Sequence, residues 1–335
     1  MILLGLAGLF ASVSALNAAE PPDRFIRLNE QTKSRMERFP NDTSTKTLLE
    51  TYRPDLFVAP GSYWPMNFYR DYLPRTSLYT DSGQRVQSLP NRALLRKVHR
   101  QPRYHLDLEI TPREALELRP DTIHPTLYGQ VYGDTLVHNG DTIPLLFLKY
   151  SAVFPYSGLP YGSSSWKYYA SYLLGNPVAW HEGDIHGAIH LILHRRTREP
   201  LGVLLAQHNH HRLYLRRSDF SWPDDNHVDV AYAKFANEPY LVEDRKHPFY
   251  PRTIGNPRDL PTLFRRNEYP TLAAGYDKVI PPSAGAKAVD YQIDLLPPND
   301  PLYRSWIPLG DRYSVWGIRN TWYREGPPGM DYYAA

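Results

Sequence analysis

The stretch AWHEGDIHGAIHLILH, Ala179 to His194, gathers four histidines, an aspartate and a glutamate into sixteen residues. Neutral imidazole nitrogen and carboxylate oxygen are donors for divalent cations. A cation so held bridges anionic or hydroxyl oxygens or, with an open coordination position, lowers the pKa of a bound water. The chain has no cysteine. Thiolate nucleophiles, disulfides and cysteine-bearing zinc sites are therefore excluded together, and any metal falls to His, Asp, Glu or carbonyl oxygen.

The element that must position these groups is a strand. Ile185, Ile189, Leu191 and Leu193 stand at odd positions and Asp184, His186, His190 and His194 at even ones, a period of two to which Ile192 is the exception. A helix would place His186, His190 and His194 at successive turns. Gly183 and Gly187, and the lack of an apolar face at helical spacing, argue against it. RRTREP then predicts a turn and LGVLLAQHNHH a returning strand. With the turn centred near Thr197, opposed residue numbers sum to about 394, which sets His208 across from His186 and His210 across from Asp184. The predicted metal ligands are His181, approaching from the preceding loop, with Asp184, His186 and His208. The imidazole count favours Zn, Mn or Fe, whereas a shell dominated by carboxylate and water would favour Mg or Ca. Glu182 and His210 are candidates for the general base of a metal-bound water. In the competing reading the histidines merely fill solvent-facing strand positions. There Glu182 is a solvated or ion-paired loop carboxylate, and His190, His194 and His211 lie too far along or at the wrong parity.

Lys and Arg number 38 against 35 Asp and Glu, a formal net charge of +3 over 335 residues, with both signs scattered and no long basic block to track a phosphate backbone. Nucleic acid is excluded as an expected partner. Thirty-two prolines and twenty-six tyrosines describe a turn-rich chain whose aromatics suit pleated surfaces. The first nineteen residues carry no charged side chain and end in small residues, as in a signal peptide, which predicts a secreted or extracytoplasmic protein; the competing readings are an apolar N-terminal helix or a single membrane anchor, for which the run is short. No later segment is long and apolar enough to span a membrane. For a eukaryotic secretory route, Asn41-Asp42-Thr43 is a glycan acceptor tripeptide.

The fold class expected is all-β, a β-sandwich with long loops and a few short peripheral helices. It comprises a signal peptide over 1–19, an N-terminal arm with a short helix over 20–51, and a sandwich domain over 52–330. TSTKTLLETY predicts the helix, capped by Thr43 or Ser44. RYHLDLEI predicts a half-buried strand. Asn139-Gly140 predicts a hairpin whose second arm, IPLLFLKYSAVF, is apolar enough to be central. The Pro/Gly stretches after Phe249 and over Pro281 to Ala286 predict long surface loops.

His181 to Asp184, HEGD, resembles the His-Glu-Gly-Asp-Trp-Glu motif of the vacuolar protein sorting-associated protein 62 family, itself similar to the necrosis-inducing protein family. YRPDLFVAPGSYWP, LKYSAVFPYSG, LLAQHNHH, VAYAKFANEPY and WGIRNTWYREGPPGM resemble further segments of that family, in its order, over roughly 270 residues. The resemblance implies a β-sandwich. In the necrosis-inducing relatives, secreted cytolysins that engage membrane glycolipids, the motif's His, Asp and Glu help hold a divalent cation. Carried over, His181 and Asp184 match ligands, the glutamate is His186, the tryptophan is Ile185, and a histidine of a later segment is Phe235. The site is thus either retuned toward nitrogen ligands or decayed on a retained scaffold.

Three functions compete. The first is a secreted sandwich protein that binds a glycan, a lipid headgroup or a cell surface through a divalent cation, with Trp166 and Trp180 available to stack on sugar faces. The second is a metal-dependent hydrolase. The third is a structural or interaction protein with a decayed site. A Ser-His-Asp triad is disfavoured because the serines of YGSSSW lack a strand-turn-helix context.

Overall fold

A computed structural model describes residues 37–80, 82–98, 104–138, 141–157, 181–207, 210–215, 227–235, 237–242, 252–254, 270–272, 279–297 and 300–303. The signal-like segment, YGSSSW, Trp166, Trp180, His208 and the tail WGIRNTWYREGPPGM lie outside the described residues.

The longest apolar runs form the longest strands. β6 (Thr126–His138) and β7 (Asp141–Ser157) pair antiparallel from Leu127↔Ala152 to His138↔Asp141, so the chain turns between His138 and Asp141. That is the hairpin expected at Asn139-Gly140, although these two residues themselves fall outside the described ones. β7 is central: β8 (His181–His194) lies on its other side, followed by β9 (Pro200–Gln207) and β10 (His210–Leu215). β1 (Glu37–Arg38) and β16 (Gln292–Asp294) both pair with β6 and complete a seven-stranded sheet.

A second sheet runs in the order β12 (Pro239–Leu241), β11 (Asp229–Tyr232), β2 (Asp55–Val58), β15 (Lys287–Ala288). Its Leu56, Val58, Val230, Tyr232 and Tyr240 share one buried cluster with Leu146, Leu148, Tyr150, Phe154, Ile189 and Leu191 of the large sheet. Phe154 meets Tyr232 edge to face between the sheets, with centroids 5.1 Å apart. The fold is therefore an all-β sandwich, as expected, and each such side chain contributes about 1.5–3 kcal/mol by leaving water. A three-stranded sheet of β4 (Arg85–Ser88), β3 (Thr76–Thr80) and β5 (Tyr104–Leu108) accompanies it, as does a parallel pair of β13 (Arg252–Ile254) with β14 (Pro270–Leu272).

The helices are short: α1 (Thr43–Thr51), α2 (Arg92–Val98) and α3 (Pro112–Glu117). The cap of α1 is Asp42 rather than Thr43 or Ser44. Its carboxylate accepts from the Thr45 N–H at 2.9 Å and from the Ser44 hydroxyl at 2.7 Å, and the first of these bonds holds its pKa below the usual carboxylate value. Asn41 of the glycan tripeptide donates its side-chain amide to the Leu296 carbonyl.

HEGDIHGAIHLILH is a strand, as its periodicity predicts, and the pairs Ile189↔Leu205, His190↔Leu204 and Leu191↔Val203 each sum to 394. The expected continuation of that ladder is corrected. β9 pairs with β8 no further than Ile189↔Leu205, and after Gln207 the chain reverses, so that His210 opposes Gln207 rather than Asp184.

The side facing the core is also corrected. Between Tyr150↔Ile189 and Ser151↔Gly187 the β7–β8 ladder slips by one residue, leaving Ala188 as the extra residue of a bulge. Directly opposed residues of an antiparallel pair share a face. Ile189, Leu191 and Leu193 therefore lie with Tyr150, Leu148 and Leu146, and beyond the bulge it is the even positions, Asp184 opposite Phe154 and Glu182 opposite Tyr156, that join them on the core side. His190, opposite Lys149, lies on the outer face and is nonetheless buried, as are Lys149 and Gln130 beside it. Ile192, the exception in the pattern, belongs to a second apolar cluster there with Tyr132, Leu145, Phe147 and Leu204.

Candidate functional site

Glu182, Gly183 and Asp184 open β8 opposite the end of β7. Gly183 has φ +61°, a left-handed conformation that glycine adopts without the clash of a Cβ, which is the local reason the tripeptide has glycine at its centre. Glu182 is 0% exposed and Asp184 5% exposed, which overturns the reading of Glu182 as a solvated loop carboxylate. A carboxylate withdrawn from water needs donors or a cation, and each has a named donor. The Leu108 N–H at the end of β5 donates to Glu182 Oε2 at 2.9 Å. The Asn237 side-chain amide donates to Asp184 Oδ2 at 2.8 Å and to the Tyr156 carbonyl at 2.8 Å.

Asn237 comes from the tight connection between β11 and β12. The Ala233 N–H donates to the Glu238 carbonyl at 2.8 Å, and the Asn237 N–H to the Ala233 carbonyl at 3.0 Å. Asn237 sits at φ +59°, a region asparagine tolerates better than most residues. Phe235, at φ +65°, donates its N–H to Ser62 Oγ at 3.0 Å and sets its ring edge-on to Tyr63 with centroids 6.0 Å apart. Position 235 is thus filled by apolar packing. Tyr63 also lies 5.9 Å, centroid to centroid, from Tyr156, whose hydroxyl donates to the Ile110 carbonyl at 2.7 Å.

On the Glu182 side, β5 brings His105 and Asp107, with Nε2 and Oδ2 3.5 Å apart. Both are buried, so RYHLDLEI is covered on both faces rather than half-buried. The Tyr72 phenol is pushed well above its usual pKa by burial first, then by the Glu182 and Asp107 carboxylates. Tyr232 is raised by burial first, then by Tyr291 and Asp184.

The sequence-predicted ligands divide. Asp184 is placed and hydrogen-bonded. The register sets His186 opposite Ala152, at the parity of Asp184, and His181 opposite Ser157, at the other parity. His210 begins β10, and His208 lies outside the described residues. Among the described residues no group of three or more His, Asp or Glu side chains converges to hold a metal ion. Sequence reasoning missed Asn237, His105 and Asp107. The Asn-Glu-Pro turn chemistry after KFA was the signal for the first, while nothing local ties RYHLDLEI to HEGD.

Fold and site together define an all-β sandwich protein with buried carboxylates and an amide clamp between strand ends. No family model matches the chain and no curated protein matches it, so the resemblance to the vacuolar protein sorting-associated protein 62 family rests on the quoted motifs. Among solved structures it is similar to Necrosis and Ethylene inducing Protein 2 from the causal agent of cocoa's Witches Broom disease, at 15% identity and a TM-score of 0.30, over 64% of this chain and 74% of that one. Among the described residues no helix is long and apolar enough to cross a membrane.

Proposed function

We propose that the chain is a secreted sandwich protein that holds a divalent cation at the start of β8 and through it binds a glycan, a lipid headgroup or a cell surface. The observation that carries this reading is the pair of carboxylates, Glu182 and Asp184, set two residues apart on one face and withdrawn from water. Two such groups, held by neutral amide donors rather than by an arginine or lysine in those bonds, concentrate negative potential where a cation is favoured. Asp184, fixed by Asn237, is the described ligand of this reading. His181 and, in the place of the motif's glutamate, His186 are the ligands the motif sets beside it, and His208 is the one added by the hairpin register expected from the sequence. When bound, the cation supplies a bridge to anionic or hydroxyl oxygens.

The test is elemental analysis and thermal melting of the full chain before and after chelation. A stoichiometric divalent ion, lost in Asp184→Asn, with a lower Tm after chelation, is the expected result. A metal-free protein whose melting ignores added cations, or an Asp184→Asn protein with its metal intact, removes the reading.

A further inference from the structure

We propose that Asp71 and His124, just before β6, form an acid–base dyad that hydrolyses activated carboxylic esters with water as the nucleophile, independent of the cation reading above. The His124 ring is 53% exposed and the Asp71 carboxylate 3% exposed, so a buried acid stands behind an imidazole open to solvent. Asp71 Oδ1 lies 3.0 Å from His124 Nδ1, and Oδ2 accepts the His124 N–H at 2.8 Å and the Asn67 N–H at 3.1 Å. An ionised carboxylate only accepts. Nδ1 therefore carries the proton of the neutral ring, and Nε2, on the side away from that bond, keeps its lone pair.

The mount is stiff. Asp71 belongs to a π-helical turn, Phe68–Tyr72, in which the Asp71 and Tyr72 N–H groups both donate to the Asn67 carbonyl, at 2.8 and 3.1 Å. Such turns are rare and are frequent at functional sites. The Asn67 side chain accepts from the Tyr69 and Arg70 N–H groups at 3.0 Å each and donates to Thr126 Oγ1 at 3.2 Å, and Thr126 Oγ1 donates to the His124 carbonyl at 2.8 Å. His124 is thereby held at its N–H, its carbonyl and its ring. His194 shows the opposite arrangement. Its Nδ1 accepts from the Thr197 N–H at 3.2 Å, which leaves the ring proton on Nε2, and its ring partner is the Thr197 hydroxyl at 2.9 Å rather than a carboxylate.

An imidazole fixed in this tautomer by a buried carboxylate is equipped as a general base. Nε2 takes a proton from water as the water oxygen adds to the acyl carbon. The ester C–O bond then breaks and the proton passes from Nε2 to the departing alkoxide, which leaves a carboxylic acid and an alcohol. Asp71 is a positioning residue that holds the ring and stabilises the transient imidazolium. A lone imidazole base suffices where the leaving group is good, which sets the substrate class as activated esters.

The full chain, with EDTA present throughout, is assayed against p-nitrophenyl acetate at about pH 8. Saturable hydrolysis is expected. His124→Gln should lower kcat/KM by about 100-fold, while His194→Gln leaves it unchanged. Asp71→Asn should lower kcat with KM unchanged, because an amide no longer stabilises the imidazolium. Should that variant fail to fold, the ring supplies a second readout: in nitrogen NMR of the imidazole-labelled chain, the His124 signals, identified by their loss in His124→Gln, are those of the Nδ1–H tautomer. Hydrolysis no faster in the parent than in His124→Gln, a rate abolished by EDTA, an equal loss in His194→Gln, a change in KM rather than kcat in Asp71→Asn, or an Nε2–H tautomer would each overturn the proposal.

Discussion

The side-chain amide of Asn237 donates to Asp184 Oδ2 at 2.8 Å, joining the β11–β12 connection to the start of β8. Both residues are buried, so the contact lies where the surrounding medium is least able to screen it. Replacing the amide by a carboxylate sets two acids against each other there. Asn237→Asp should cost about 3–5 kcal/mol at neutral pH. It should regain much of that in acid, because the like-charge neighbour raises the pKa of one carboxyl and the added stability is lost as pH rises through it. Urea melts across pH check this. Asn237→Gly, which keeps the φ +59° backbone comfortable but removes the bonds to Asp184 and Tyr156, should cost about 1–3 kcal/mol.

Glu182 ties β8 to β5 through the Leu108 N–H. Glu182→Ala leaves that donor buried without its acceptor and should cost about 1–3 kcal/mol, whereas Glu182→Gln keeps an acceptor and should cost less. Comparable losses in the two variants, measured by chemical denaturation, would show that the bond to Leu108 is not what holds Glu182 in place.

Ala188 is the extra residue that brings Glu182 and Asp184 to the core side. Deleting it restores an uninterrupted ladder, and a one-residue slip turns every side chain beyond it to the opposite face. The deletion should unfold the protein or lower Tm steeply. A deletion variant that melts like the parent would refute the assignment of the bulge.

Burial raises the phenol pKa of Tyr72, Tyr128, Tyr150 and Tyr232 above the ordinary value of 10.0. For a raised group, stability is fully present below the unfolded-state pKa and is lost as pH climbs from there toward the folded value, since the unfolded chain releases these protons first. Stability should therefore hold to about pH 10 and fall above it. A spectrophotometric titration should show a set of tyrosines that ionise only with unfolding. Smooth ionisation of all tyrosines near their ordinary pKa in a folded protein would contradict the burial.

Much of the sheet was legible. The period of two in HEGDIHGAIHLILH, the Asn-Gly pair before IPLLFLKYSAVF and the turn near Thr197 led to β8, the β6–β7 hairpin and the register through Leu191↔Val203. These are short-range signals: a strand's alternation and a turn's residue types act within a few positions. The candidate site was less legible. Parity counted along β8 placed Asp184 on the polar side, because nothing in a local pattern announces an extra residue at Ala188. His210 was assigned to the wrong neighbour because the reversal after Gln207 was not anticipated.

By itself the sequence determined an all-β protein, its longest hairpin, the absence of thiol chemistry and the residues able to ligate a cation. Only the tertiary structure decided that Glu182 and Asp184 lie inside, that Leu108 and Asn237 are their donors, and that His190 is buried on the other face. The physical reason is range. Alternation and turn chemistry are written within a few residues, while a bulge's parity change and a bond across 53 or 74 positions exist only once the sheets have packed.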